Sequence, residues 1–475
     1  GTPRGRERER GAGTVSISLL DRISPAHRVP GTRFLVDAFR FPAYDAQCTR
    51  FFLSHFHADH YQSLDGRFHR GVIYCTIPTA NMIRLKFGLS DEFLFPMELD
   101  REYDVAGVRV VMLEANHCPG SAIILFTLPD GTTILHTGDF RFHKSMLSHP
   151  LLQQLAQNLD YLFLDTTYAS PRYNFPLQED TIQFVAEAVK RELEHSPDTV
   201  IVVGTYQIGK ERILEGIARW CRVKICVQPY KMRVIRQLQL PYENIFTTDP
   251  KQSRVHVAMM FGMTLDKLQE VLEDTFSGMG YKRIVGVKPT GWTFTKNGPL
   301  YKRTTKGSSC VLYGVPYSEH SSYSELREFV HFLQPRVLVP TVNCSTMKRV
   351  QNMVHHFRED VGSLRPQDSP FFLYFQQQGV DQRTDLKGTR KISSYFSGAV
   401  GSKSKSSDSR DTVFFCKTDE LGDGSCSTEG GVKVEEGVDS LDDDVDADAK
   451  VQLTEEEMLR VEMSFFEGER SPKEE

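Results

Sequence analysis

Ser54-His55-Phe56-His57-Ala58-Asp59-His60 sets three imidazoles and a carboxylate within six residues, directly after the apolar run Phe51-Phe52-Leu53. Neighbouring residues in a tight turn point to different sides, so His55, His57, Asp59 and His60 cannot all serve one ion. They can divide between two ions that share a bridge. Two further peptides have the same character. Glu114-Ala115-Asn116-His117-Cys118-Pro119-Gly120 follows an apolar run, and so does His136-Thr137-Gly138-Asp139, whose glycine permits a sharp turn that aims Asp139 inward. Imidazole and carboxylate suit zinc or manganese, and a shared carboxylate can bridge ions about 3.5–4 Å apart. Such a centre lowers the pKa of bound water and neutralises charge building on a phosphoryl oxygen. Isolated histidines such as His69, His149 and His331 read as ordinary hydrogen-bonded residues. Cys118 is passed over in favour of His117, because hydrolytic sites of this kind use nitrogen and oxygen donors.

The elements that must position these groups are short strands. Thr32–Val36, Thr49–Leu53, Gly71–Thr76, Val108–Leu113, Ala122–Leu128, Thr132–His136 and Tyr161–Leu164 are apolar runs, many of their residues β-branched or aromatic. Pro129-Asp130-Gly131 is a hairpin turn between two of them, and Thr79–Phe87 is a short helix. Asp37, the His55 cluster, His117, Asp139 and Asp165 all fall just past strand ends, where loops held by a scaffold carry active sites.

A second rhythm begins near residue 178. Gln178–Leu193 has helical periodicity, with Ile182, Val185, Ala186, Val189 and Leu193 on one side. Thr199–Val203 then reads as a strand, Gly209–Cys221 as a helix, Val223–Val227 as a strand and Lys231–Leu238 as a helix. This is the pattern of an α/β insertion with a parallel sheet. Residues 281–288 and 309–315 read as strands returning to the first domain, followed by a helix over Ser322–Leu333 and a strand over Arg336–Pro340. Beyond about residue 375 the periodicity fails, and a Ser-, Gly-, Asp- and Glu-rich composition predicts disorder, with apolar islands at Arg390–Phe396 and Glu455–Phe466.

The chain has 475 residues, 40% hydrophobic and 25% charged, enough for two cores in a soluble globular protein. No run of 18 apolar residues occurs, so no membrane partner is expected. The Arg- and Gly-rich start, Gly1 to Gly13, lacks the apolar segment of a secretory signal, and the missing initiator Met suggests a truncated or processed start. Nine cysteines without CxxC pairs favour free thiols and a reducing compartment. Residues 421–475 hold 18 acidic and 5 basic side chains, so the remainder carries +8 of the total −5. A mildly basic body suits a polyanionic substrate.

These motifs together resemble the metallo-β-lactamase superfamily and, more narrowly, its β-CASP DNA nuclease branch, the cross-link repair nucleases. The resemblance rests on the His55–His60 signature and on Phe34-Leu35-Val36-Asp37-Ala38-Phe39, Asn116–Ser121, Thr137–Arg141 and Leu164–Tyr168. Lys288-Pro289-Thr290-Gly291-Trp292 and Tyr317–Tyr323 complete it, so that it covers roughly residues 20–375. It implies an α/β fold, an αββα sandwich with an inserted β-CASP α/β domain. The expected division is a disordered start over 1–14, the sandwich over 15–177 and 286–375, the insertion over 178–285 and a disordered acidic tail over 376–475. By the resemblance, His55, His57 and His117 hold a first metal, Asp139 bridges, and Asp59, His60 and His320 complete a second site. Zinc is expected as one or two ions, with magnesium or manganese as an option at the second. Asp37 and Asp165 are then carboxylates that orient ligating imidazoles.

The resemblance further implies metal-assisted hydrolysis of a DNA phosphodiester from a 5′-phosphorylated end, 5′ to 3′, in the nucleus and in interstrand cross-link repair. A structure-selective endonuclease of the Artemis type is the alternative. RNA-processing relatives carry a further histidine where this chain has Val342, which favours DNA. Ser318, Ser321, Ser322, Lys288 and Thr290 are expected at a terminal phosphate, although any of the serines equally suits a helix cap. Lys210, Arg212, Arg219, Lys231, Arg233 and Arg236 read either as the lining of a strand-binding groove or as solvated charges. Ile392, Tyr395 and Phe396 have the spacing of a sliding-clamp motif, with Thr389 in place of its usual leading glutamine. A monomer is expected.

Overall fold

The computed structural model describes residues 23–40, 49–260, 262–291, 301–305, 307, 309–361 and 369–377. Strands β1 (Phe34–Val36), β2 (Arg50–Phe52), β3 (Val72–Thr76) and β4 (Leu94–Met97) pair in chain order as a parallel sheet. Strands β5 (Glu102–Val105), β6 (Val108–Glu114), β7 (Ala122–Thr127), β8 (Thr133–His136) and β9 (Tyr161–Leu164) form a second sheet, antiparallel from β5 to β8. A strand from far along the chain, Val337–Pro340 and hence β17 in chain order, closes this sheet parallel to β9. The hairpin at Pro129-Asp130-Gly131 joins β7 to β8, with Gly131 at φ 89°.

Successive side chains of a strand face opposite ways, and here both faces are buried. Phe34, Val36 and Phe52 of the first sheet meet Val110, Met112, Ile124, Phe126 and Phe163 of the second in one core. The rings of Phe52 and Phe126 cross that interface edge to face, 5.0 Å apart. On the far side of the first sheet lies α1 (Ile77–Phe87), contributing Ala80, Met82 and Ile83. On the far side of the second lie α2 (Pro150–Leu155), α7 (Tyr323–Leu333) and α8 (Met347–His355). Leu326, Phe329, Val330 and Leu333 recur at helical spacing and give α7 its buried face against Leu135, Leu162 and Leu338. The order is therefore helix, sheet, sheet, helix, as the resemblance implies.

The insertion is built on a seven-stranded sheet. Its strands are β10 (Thr199–Thr205), β11 (Ile225–Cys226), β12 (Phe246–Thr247), β13 (Val255–Met259), β14 (Arg283–Pro289), β15 (Tyr301–Thr304) and β16 (Cys310–Val315). Their spatial order is β12-β11-β13-β10-β14-β16-β15, parallel except for β15. Helices α3 (Gln178–His195), α4 (Glu211–Cys221) and α5 (Pro229–Gln237) cover one face, and α6 (Leu265–Val271) the other. Gly216 lets α4 lie close on α3, because a Cβ there would sit 2.4 Å from Ile182 Cγ2. Helix α5 faces two ways: Met232 and Ile235 join the insertion's core, while Val234 joins the core beneath α1.

The strands expected at 281–288 and 309–315 do not return to the first domain. They are β14 and β16, and they extend the insertion's own sheet beside β10. The sequence reading also passes over β4, β5, β12, β13, β15, α2, α6 and α8. Among the described residues, no helix is long and apolar enough to cross a membrane. The segment containing Ile392, Tyr395 and Phe396 lies outside the described residues, as do the acidic tail and the Arg/Gly-rich start.

Candidate metal centre

The chain turns out of β2 at Leu53, whose N–H still bonds Tyr74 O of the neighbouring strand, and the next residues leave the sheet. His60 N–H and Tyr61 N–H both return to His57 O, folding the peptide into a tight turn. That turn brings His55 Nε2 to 3.0 Å from His57 Nδ1, and His117 Nε2 arrives from the loop after β6 at 3.0 Å from the same atom. Three nitrogens at this spacing suit a common partner, since a tetrahedral ion with bonds of about 2.0–2.1 Å separates its ligands by about 3.3 Å. Asp139 Oδ2 sits among them, 3.1 Å from His60 Nε2, 3.6 Å from His55 Nε2 and 3.8 Å from His117 Nε2. His320 enters from the loop between β16 and α7, its ring 4.7 Å from that of His117.

Three overlapping donor groups result: His55-His57-His117, His55-His60-Asp139 and His117-Asp139-His320. Asp59 stands at the rim, half-exposed, 3.7 Å from His60 Nε2. Among the described residues no cysteine joins a metal-competent group, and Cys118 is buried in the core under α1.

Each imidazole has its other ring nitrogen fixed. His60 Nδ1 donates to Asp37 Oδ2 at 2.8 Å, and His320 Nδ1 donates to Asp165 Oδ2 at 2.8 Å. His55 Nδ1 reaches Asp37 indirectly, through Ser54 Oγ at 3.0 Å, which itself donates to Asp37 Oδ2 at 2.6 Å. His117 Nδ1 donates to Glu319 O at 2.7 Å, and His57 Nε2 to Ile208 O at 3.3 Å. Such backing acceptors set the tautomer and aim the remaining nitrogen, as they do around bound metals. Asp37 achieves this from a left-handed backbone, φ 51°. Gly138 is left-handed too, φ 55°, and a Cβ there would lie 2.7 Å from Ser54 Cβ.

The charge pattern suits cations. Burial, then the neighbouring His60 and His57 rings, hold His55 well below its ordinary pKa; burial and His320 do the same to His117. Both are thus neutral and available as ligands. Burial works against a charge on His60, yet Asp139, Asp59 and Asp37 outweigh it and hold His60 well above its ordinary value. Burial likewise opposes a charge on His320, but Asp165 and Asp139 raise it to about 9. The carboxylates therefore favour positive charge in this cleft, and the donor set fits divalent metal.

The serines expected at a phosphate are engaged by the protein. Ser322 forms a capping box with Glu325 at the start of α7. Ser321 Oγ donates to Phe140 O and accepts from Phe142 N–H, and Ser318 Oγ accepts from His320 N–H and donates to His320 O. Lys210 and Lys231 do not line a groove: both are buried, on Glu319 Oε2 at 3.1 Å and Glu211 Oε1 at 2.9 Å. Arg219 and Arg236 pair with Glu215 and Glu243. Lys288 and Thr290 lie at the end of β14.

Two framework residues escape sequence reasoning. His136 is not a ligand: its Nε2 donates to Ala26 O and its Nδ1 accepts from Gly138 N–H, which fixes the turn before Asp139. Arg141, fully buried, donates to Glu325 Oε1, Ser318 O and Pro176 O, tying the loop after β8 to the His320 loop. A motif shows these residue types but not which way they face.

Residues 241–346 match the family described as DNA repair metallo-beta-lactamase. The DNA cross-link repair protein SNM1 of Arabidopsis thaliana is 42% identical over 339 residues, 70% of this chain and 68% of that protein. The chain belongs to the DNA repair metallo-β-lactamase family. Other similar family members include the human DNA cross-link repair 1A protein, 41% identical over 337 residues, 70% of this chain and 32% of that one. The 5′ exonuclease Apollo of Danio rerio is 33% identical over 304 residues, 62% of this chain and 48% of its own. The chain thus spans about a third of the length of the human relative and about half of the zebrafish one. The sandwich and the seven-stranded insertion are accordingly the metallo-β-lactamase and β-CASP parts of that family's fold.

Proposed function

We propose that this chain is a metal-dependent DNA nuclease that hydrolyses phosphodiesters from a 5′-phosphorylated end, 5′ to 3′, in interstrand cross-link repair in the nucleus. The observation that carries the proposal is the convergence of His320, from beyond the insertion, with His117 and Asp139 of the first part of the chain. Relatives named as cross-link repair proteins and as a 5′ exonuclease support the substrate and the polarity.

In this proposal His55, His57, His117 and Asp139 hold one divalent ion, and Asp139, His60, His320 and Asp59 a second. Zinc suits the nitrogen-rich first position, and the carboxylate share at the second also admits magnesium or manganese. Ions held there would lower the pKa of water and offset charge on a phosphoryl oxygen. The protein's own contribution is placement. Asp37 holds His60 directly and His55 through Ser54, while Asp165 holds His320. Lys288 and Thr290, at the end of β14, are the proposed contacts for the terminal phosphate, beside the separate loop that carries Ser318, Ser321 and Ser322. Contacts to the backbone need not read bases, so damaged nucleotides can pass.

A nuclease assay with metal tests this on 5′-phosphorylated DNA, 5′-hydroxyl DNA, closed hairpins and RNA. The expected result is digestion that needs the 5′-phosphate and disappears in Asp139→Ala. Cleavage confined to hairpins would replace the exonuclease with an Artemis-type endonuclease, and undiminished activity in Asp139→Ala would reject the centre.

A further inference from the structure

We infer that the buried Glu319–Lys210 pair is a positioning device through which the insertion holds two metal-site imidazoles at once. Glu319 acts in two directions. Its backbone carbonyl accepts from His117 Nδ1 at 2.7 Å, which leaves His117 Nε2 facing His57 and Asp139. Its carboxylate takes both donors of a single residue of the insertion, Lys210 N at 2.6 Å and Lys210 Nζ at 3.1 Å.

Lys210 in turn fixes the loop between β10 and α4. It sits in the left-handed region, φ 70°, with its ammonium 5.4 Å and 5.1 Å from the ring centroids of Tyr206 and Tyr317. Two residues earlier, Ile208 O accepts from His57 Nε2. Gly209, between them, packs so close that a Cβ would meet Glu319 Oε2 at 2.8 Å. The loop is also held from behind: Glu211 accepts from Gly209 N–H and from Lys231 Nζ, and Lys231 Nζ reaches Tyr206 O and Gln207 O. One strut therefore orients His57 through Ile208 and His117 through the Glu319 carbonyl, two of the three clustered nitrogens.

Side chains of both partners are about 6% exposed, so neither gains much from solvent and neither faces the open cleft as a substrate contact. A pair so buried is weak evidence for stability in itself. Its geometry explains its placement better: it locks an insertion loop onto the peptide that ends in the ligand His320. Partners that back metal ligands typically change metal affinity about 10–100-fold when lost.

The inference rests on the metal-centre reading, and the test separates the two. Zinc affinity is measured by chelator competition, and the Co2+-loaded protein is followed by its ligand-field absorption. Parent protein, Lys210→Met/Glu319→Leu, Glu319→Gln and, as a control, Lys302→Met are compared. Lys302 pairs with Glu192 elsewhere in the insertion. Failure of the parent to bind either ion would sink the metal centre itself. With the parent binding, the double variant, which leaves no lone buried charge, is expected to melt near the parent temperature yet bind zinc about 10–100-fold more weakly, with an altered Co2+ spectrum. Lys302→Met should match the parent in both readings. Glu319→Gln keeps the acceptor for Lys210 N–H and is expected to lose several-fold, and it supplies the reading should the double variant not fold. Zinc affinity within twofold of the parent in the double variant, or in Glu319→Gln if that is the variant available, would overturn the inference, as would an equal loss in Lys302→Met.

Discussion

At the scale of single residues, Asp37 is the point on which the largest part of the centre turns. It bonds Ser54 N–H, Ser54 Oγ and His60 Nδ1, and through Ser54 it also sets His55. Gly138 matters for the same reason from the opposite side. Alanine there adds a methyl 2.7 Å from Ser54 Cβ on a left-handed backbone. Gly138→Ala is therefore expected to lower stability by about 1–3 kcal/mol and to reduce zinc content, measured by thermal melting and elemental analysis. The clustering of His55, His57, His60, His117, Asp139 and His320 is legible in the sequence, because histidine and aspartate past strand ends have few other reasons to recur. The backing groups are not. Ile208 and Glu319 act through carbonyl oxygens, which every residue has, so no side-chain pattern reveals them. The burial of Lys210 and Lys231 is hidden for a related reason: a basic residue in a sequence does not disclose whether an acid waits for it inside.

At the scale of elements, α7 shows how a helix start serves a site that it does not enter. Its capping box joins Ser322 to Glu325, and the same Glu325 carboxylate takes the Arg141 guanidinium. Glu325→Ala leaves that guanidinium buried without its acid, and is expected to cost about 3–5 kcal/mol in denaturant unfolding. Ser322→Ala removes only a cap, about 1 kcal/mol. Near-equal losses would show that Arg141 is satisfied by carbonyls alone. Strands with continuous apolar runs, such as β6 and β7, were readable, and so was the stripe on α7. Strand β4 was not, since Pro96 and exposed Phe95 break its alternation, nor β5, which is charged and lies at an edge. Strands β14 and β16 are readable as strands, but the sheet they join is not. A parallel strand buried on both faces carries no mark of its neighbours.

At the scale of the whole molecule, acid should weaken both parts of the fold. Burial, aided by Arg40, pushes His27 in the sandwich down to about 4, and burial does the same to His256 in the insertion. An unfolded imidazole protonates near its ordinary value of about 6.5, so between about 6.5 and 4 the unfolded chain binds more protons. Stability thus falls as pH drops through that window, by on the order of 3 kcal/mol for each such group. Melting temperatures at pH 6.5 and 4.5 check this: His256→Gln should narrow the parent's loss. Zinc should act in the opposite sense, because ions that bind only the folded chain stabilise it by about 2.7 kcal/mol at a hundred times the dissociation constant. A chelator is accordingly expected to lower the melting temperature of the loaded protein.

The partnership of β9 with β17 has a consequence for synthesis. Until Val337 has left the ribosome, β9 presents its outer row of amides and carbonyls to any passing strand, and Leu162 lacks the Leu338 and Leu333 that later shield it. The whole seven-stranded insertion must emerge during that interval, and the long ring that β17 closes carries a correspondingly large entropic toll. A nascent chain of this protein is therefore most in need of a chaperone between the emergence of β9 and that of β17, while it still lacks the edge it will finally hide.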